Sequence, residues 1–217
     1  MRVIGGQERG RKLNVPGCND TRPATARVRA SIFSRLSSRN AVIGARVLDV
    51  FAGSGSLGVE ALSRGASHAV FVDQARAAVA AIRHNLSQLR LASRGRIINA
   101  DFRRALSELA REDESFGLAF VDAPFRADST AEVLALIADL RLLAPDGLVV
   151  TRQFHRSPAP VVAAMECINF TKIGDHRIAL YRRLPSGDTS KDDRTPTTGR
   201  THLTRATAMS EKSPHGQ

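Results

Sequence analysis

The sequence predicts an α/β fold of Rossmann-like type. The expected architecture is a mostly parallel seven-stranded sheet with a C-terminal antiparallel hairpin, preceded by a small basic β-hairpin and helix. Three observations predict it. From Arg46 onward short apolar runs alternate with helix-length amphipathic stretches, which calls for parallel strands joined by right-handed crossovers. The run Val47-Leu-Asp-Val-Phe-Ala-Gly-Ser-Gly-Ser-Leu-Gly58 is a strand that breaks into a glycine-rich turn and resumes as a helix. Near the end, the runs 167–172 and 177–182 flank a turn at Gly174-Asp175, too close for a crossover helix, so they must pair antiparallel.

The elements follow in order. Residues 2–6 and 11–15 read as two short strands joined by residues 7–10, a basic hairpin. Residues 16–23 are loop. Residues 25–39 place Val28, Ile32, Phe33 and Leu36 at helical spacing among Arg27, Arg29 and Arg35, a basic amphipathic helix. Strands are expected at 47–51, 68–73, 96–100, 117–122 and 147–154, and helices at 56–64, 75–91, 101–111 and 129–142. After Pro185, polar residues dominate to Gln217, too few of them apolar to offset the ordering entropy, so a disordered tail is expected. The chain thus divides into a basic N-terminal segment (1–45), an α/β domain (46–185) and a tail (186–217).

At 217 residues the chain is long enough for one full sheet-and-helix core. It has no apolar stretch near the ~20 residues that span a bilayer, and its start lacks the apolar core of a signal peptide. Cys18 and Cys167 stand far apart without metal-ligand spacing, so a reducing cytoplasm and no metal are expected. No heptad pattern argues for a dimer, and a monomer is expected. The net charge of +11 is uneven: residues 1–46 hold ten Lys/Arg against two acids. A basic excess confined to one segment is the electrostatic footprint of a polyanion partner.

Gly53, Gly55 and Gly58 satisfy the dinucleotide fingerprint, and Asp73 follows at the distance that fingerprint asks. A hydride-transfer enzyme is one reading. Asp49, four residues before Gly53, favours another, because a carboxylate at that strand tip repels a pyrophosphate. S-adenosylmethionine carries a sulfonium and an ammonium instead of a phosphate, and an acid attracts it. Asp73 suits two ribose hydroxyls, and Asp101, after the third strand, an adenine amino group. Each is equally a residue type that caps the following helix.

Leu118-Ala-Phe-Val-Asp122 is an apolar run ending in an acid, followed by Ala123-Pro124-Phe125. In open α/β sheets ligands bind at the carboxyl ends of the strands, so Asp122 is expected in the same crevice as the glycine loop. An exocyclic base amine is a poor nucleophile, its lone pair delocalised into the ring. A carboxylate and a backbone carbonyl accepting its two N–H bonds favour a more reactive nitrogen, and Phe125 offers a face for a base drawn out of its stack. The bland alternative is an Asp-Pro type turn after a buried strand.

These pieces, together with Ile4-Gly-Gly6, Arg9-Gly-Arg-Lys-Leu13, Arg22-Pro23, Arg27-Val-Arg29, Phe33 and Glu60-Ala-Leu-Ser-Arg-Gly-Ala66, carry a resemblance over roughly residues 1–184. The chain resembles the bacterial 16S ribosomal RNA guanine-N2-methyltransferases of RsmD type, class I S-adenosylmethionine-dependent enzymes. The resemblance implies a cofactor site at Asp49, Phe51, Ala52, Gly53, Ser54, Gly55, Ser56, Asp73 and Asp101. It implies a flipped guanine at Asp122, Ala123, Pro124 and Phe125, and ribosomal RNA of an assembling small subunit held by Arg9, Arg11, Lys12, Arg22, Arg27 and Arg29. Three positions depart from the family's usual pattern. Ala123 stands where a proline is usual, Ala26 and Ala30 where acids are usual, and Arg152 where a glutamate is often found. An RNA-binding assembly factor with weak or no transfer is therefore an alternative, as is methylation of another amine such as adenine N6 in DNA.

Overall fold

A computed structural model of the chain describes residues 1–16, 24–123 and 129–184. The predicted site residues Arg22, Pro124 and Phe125, and the predicted tail 186–217, lie outside the described residues. Met1–Pro185 forms one compact unit.

The chain runs through α1 (Ala26–Ser37), β1 (Arg46–Val50), α2 (Ser56–Ser63), β2 (His68–Val72), α3 (Arg76–Gln88), β3 (Gly95–Ile98), α4 (Phe102–Arg111) and β4 (Phe116–Val121). Then come α5 (Ser129–Asp139), β5 (Leu143–Phe154), β6 (Met165–Ile173) and β7 (His176–Arg183). The sheet order is β3-β2-β1-β4-β5-β7-β6. The first five strands are parallel; β7 lies antiparallel to β5, and β6 antiparallel to β7. This is the expected mostly parallel sheet closed by a hairpin. The strand order reverses between β1 and β4, and the crevice at their carboxyl ends is where a doubly wound sheet binds its ligand.

Alternating side chains send β1 to both faces, and its last four residues are buried. On one face Val47, Leu118, Phe120, Val150 and Ile178 pack with Ile32, Phe33 and Leu36 of α1 and Ile82 of α3. On the other, Leu48, Val70, Ala119 and Val149 pack with Leu106 and Leu109 of α4 and Val133 and Ile137 of α5. Among the described residues no helix is long and apolar enough to cross a membrane.

The basic hairpin differs from expectation: it holds a single antiparallel bridge, Arg2↔Lys12, and no strand. Its two arms still pair, with Val3 N donating to Arg11 O at 3.0 Å, Gly10 N to Val3 O at 2.9 Å and Leu13 N to Met1 O at 2.9 Å, but other backbone groups turn to α2. Ile4 N donates to Glu60 Oε2 at 2.8 Å, Gln7 N to Ser63 O at 2.8 Å, and Glu8 N to Ser63 Oγ at 3.0 Å. Ser63 Oγ donates to Gly5 O at 2.6 Å. Gly6 sits at φ +77°, and a Cβ there would collide with the Ser63 carbonyl. The two motifs Ile4-Gly-Gly6 and Glu60-Ala-Leu-Ser-Arg64 are therefore the two halves of one docking contact. At the other end, α5 stops three residues early because Arg141 adopts φ 54°, and β5 begins at Leu143 instead of 147.

Candidate active site

Asp49 lies on β1 with its side chain pointed under the glycine loop, 1% exposed. The loop reverses the chain through Phe51 (φ 60°), Gly53 (φ 56°) and Gly55 (φ 71°). A left-handed phenylalanine is uncommon, and its ring is held against Phe102 with centroids 5.2 Å apart. At the start of α2, Gly58 N donates to Asp49 Oδ2 at 2.9 Å. One of the free N–H groups at that helix terminus is thus already satisfied by a carboxylate of the protein itself. A pyrophosphate there would compete with Asp49 and be repelled by it, which argues against the dinucleotide reading.

Asp73, one residue past β2, ties the loop from the other side. Its Oδ2 accepts from Gly53 N at 2.8 Å and its Oδ1 from Ala75 N at 2.9 Å, leading into α3. Asp101 caps α4, Oδ1 accepting from Arg103 N at 2.9 Å, with Oδ2 3.5 Å from Arg103 Nη1. The helix-cap alternative is the one the geometry displays for Asp101. Asn85, which the sequence reading missed, fixes the loop from below. Its fully buried amide donates to Ser54 O and Asn14 O, both at 2.9 Å, and accepts from Asn14 N at 2.7 Å. The available signal was a polar residue on the apolar face of α3.

Asp122 follows β4 directly, its N donating to Val50 O at 3.4 Å, across the crevice from Asp49. Its carboxylate does not stand alone. Arg152 Nε donates to Asp122 Oδ1 at 2.6 Å, with side chains 5% and 15% exposed. Register explains the pairing: Val121 is level with Thr151, so the next residues along the parallel pair, Asp122 and Arg152, stand side by side. Arg152 was read from sequence only as a departure, not as a site residue. Ala123 is buried behind Asp122.

Burial, then the charges of Asp122 and Asp73, hold the Asp49 carboxyl well above the usual carboxylate range, with the Gly58 N–H pulling the other way. Burial also raises Asp122, but Arg152 and His176 oppose it. Among the described residues, no cation acts on Asp49, whereas Asp122 has Arg152 and His176.

Arg9, Arg11, Lys12 and Arg27 lie exposed on the surface. Arg11 reaches Gln88 O at 2.6 Å and Glu8 Oε2 at 3.0 Å. Arg29 overturns its expected place on the RNA-facing surface. It is 1% exposed, with Nη2 donating to Arg2 O at 2.6 Å. The reason is its helix register: Arg29 follows Val28 on the side of α1 that docks the N-terminal segment, where burial lowers its pKa against the pull of Glu60. Ala26 and Ala30, the positions without acids, are exposed.

The strand order and the cradle at the β1–β4 switch define a Rossmann-like methyltransferase fold. The chain belongs to the family described as Conserved hypothetical protein 95, the RsmD family, whose model matches residues 1–182. It is 37% identical over 193 residues to "Ribosomal RNA small subunit methyltransferase D" of Escherichia coli (strain K12), covering 88% of this chain and 94% of that protein. It is 39% identical over 184 residues to YlbH of Bacillus subtilis (strain 168), covering 84% of this chain and 99% of the relative. The solved structure of yhhF from Escherichia coli matches with a TM-score of 0.72 at 37% identity, over 84% of this chain and 97% of that one.

Proposed function

We propose that the protein transfers a methyl group from S-adenosylmethionine to the exocyclic N2 amine of a guanine in small-subunit (16S) ribosomal RNA, as part of ribosome assembly in the cytoplasm. The observation that carries the reading is the facing of two unlike acids across the β1–β4 crevice: Asp49 without a cation, and Asp122 with one. The name of the Escherichia coli relative supports the RNA substrate.

S-adenosylmethionine fits the cradle by charge, because its sulfonium and ammonium offset the burial, and the lesser repulsion from Asp122 and Asp73, that raise Asp49. Asp73 accepts from the ribose hydroxyls on this reading, and Phe51 to Ser56 form the wall. The bound cofactor supplies an electrophilic methyl group; everything else falls to the chain. Asp122 accepts one N–H of the amine and the Ala123 carbonyl the other, which pyramidalises the nitrogen and takes its lone pair out of conjugation with the ring; Asp122 is placed to take the proton that the nitrogen gives up as it gains the methyl group. Alignment of nitrogen, methyl and sulfur then provides most of the rate. Arg9, Arg11, Lys12 and Arg27 neutralise backbone phosphates, so binding weakens steeply with salt.

The test uses labelled methyl donor with small-subunit particles, naked 16S RNA or DNA. Label in a guanine of the small-subunit RNA is expected, and Asp122→Ala abolishes it while RNA binding survives. Label in DNA alone overturns the substrate. Asp122→Ala with unchanged transfer overturns the site.

A further inference from the structure

We infer that Arg152 is the positioning residue of this site: it keeps the Asp122 carboxylate charged and turned so that Oδ1 is held and Oδ2 is left for the acceptor amine. The inference rests on the reading of Asp122 given above and adds a residue to it.

The geometry makes the case. Arg152 and Asp122 stand level in the β4–β5 register, with Nε 2.6 Å from Oδ1. The pair lies at the carboxyl end of the sheet, and both side chains are largely withdrawn from water. Among the described residues Oδ1 has this partner and Oδ2 has none. A guanidinium that grips one oxygen fixes the rotation of the carboxylate plane, which an amine acceptor needs and a freely turning Asp does not provide. Because its charge lies on a rigid strand, the grip requires no loop to order first.

The charges around Asp122 come from three strands. Asp49 on β1 is the like charge coupled to it, on the cofactor side. Arg152 on β5 and His176 at the start of β7 are the cationic side. With Arg152 removed, a buried Asp122 faces Asp49 with only His176 in opposition, and taking up a proton becomes its cheaper state. A protonated carboxyl offers a donor where the amine needs an acceptor. Burial also argues against a surface role: at 5% exposure Arg152 is not available to a backbone phosphate.

The test compares the native protein with Arg152→Gln and Arg152→Lys. Methyl transfer to small-subunit RNA is measured from pH 6 to 9, beside the Asp122 carboxyl signal followed by carbon-13 NMR without substrate. Arg152→Gln is expected to move the Asp122 midpoint upward and to lower kcat at pH 7 by about tenfold or more. That loss recovers as pH rises, with KM for RNA within about twofold of native. Arg152→Lys returns the midpoint toward native. Should Arg152→Gln fail to fold, the lysine variant and the native NMR titration still decide: a native Asp122 that remains protonated at pH 7 overturns the inference. So does a glutamine variant whose loss is independent of pH, or one with native kcat. If Asp122→Ala is inactive while Arg152→Gln is unaffected, this inference fails alone. If Asp122→Ala remains active, the reading of the site fails with it.

Discussion

Gly58→Ala tests whether the glycine loop is set by packing as well as by turn geometry. Gly58 lies in α2 without a positive φ, so alanine suits its backbone and gains about 1 kcal/mol of helix propensity over glycine. The opposing term is steric. A Cβ at Gly58 would sit 2.8 Å from Phe71 Cζ and 3.1 Å from Cδ1, and closer still to Cε1. Ordinary carbon contacts need about 3.5–4.0 Å, so helix or ring must shift by about 1 Å. Phe71 is fully buried in the middle of β2 and cannot swing away. Overpacking of this kind costs up to about 3 kcal/mol, leaving a net loss near 2 kcal/mol. For a domain of this size that lowers Tm by about 4–8 °C. The same shift draws Gly58 N away from Asp49 Oδ2, so affinity for S-adenosylmethionine should fall as well. Thermal unfolding and calorimetric titration with the cofactor measure the two effects. A variant with native Tm, or one that is more stable, refutes the packing argument, because helix propensity would then have won.

Asp49→Asn should raise stability at neutral pH while weakening the cofactor by about tenfold to a hundredfold, the worth of a charge-assisted contact. The sign follows from the raised carboxyl: the fold binds the proton more tightly than the unfolded chain, so native stability falls as pH rises above the usual carboxylate value near 3.9. The gain in Tm should therefore grow from acid to neutral pH, and a gain that shrinks across that range contradicts it. Arg29→Met should leave RNA affinity unchanged and not lower Tm, since Arg29 Nε and Nη1 are buried with no hydrogen-bond partner among the described residues. Filter binding and thermal melts check both; an RNA affinity loss like that of Arg9→Ala would show that Arg29 faces the nucleic acid.

The sheet, its hairpin and the glycine cradle were legible because they are local signals: alternation, a turn pattern, and an acid at a strand tip. The place of Asp49 under the loop was legible for the same reason, since four residues of chain fix it. What the sequence hid depends on contacts between distant segments. Arg152 and Asp122 are 30 residues apart and meet only because β4 and β5 are in that register. Arg29 looks like a surface cation beside Arg27, but the N-terminal segment covers it. The hairpin reads as two strands by composition and its arms do pair through one bridge, yet α2 takes part of its backbone hydrogen bonding through Glu60 and Ser63.

The two acids of the crevice have the same chemistry and opposite environments, and such a division separates roles in an active site. Asp49 is buried with one N–H for company and two carboxylates nearby, so it gains most when a cation arrives. Asp122 is buried too, but its charge is balanced before any ligand enters. Had the guanidinium stood on the β1–β2 side, Asp49 would have been satisfied in advance and the attraction for a sulfonium weakened. The acid facing the amine would then have met that amine protonated, as a donor. On the proposed reading, the placement of Arg152 on β5 decides which carboxylate waits for the cofactor and which is ready for the base.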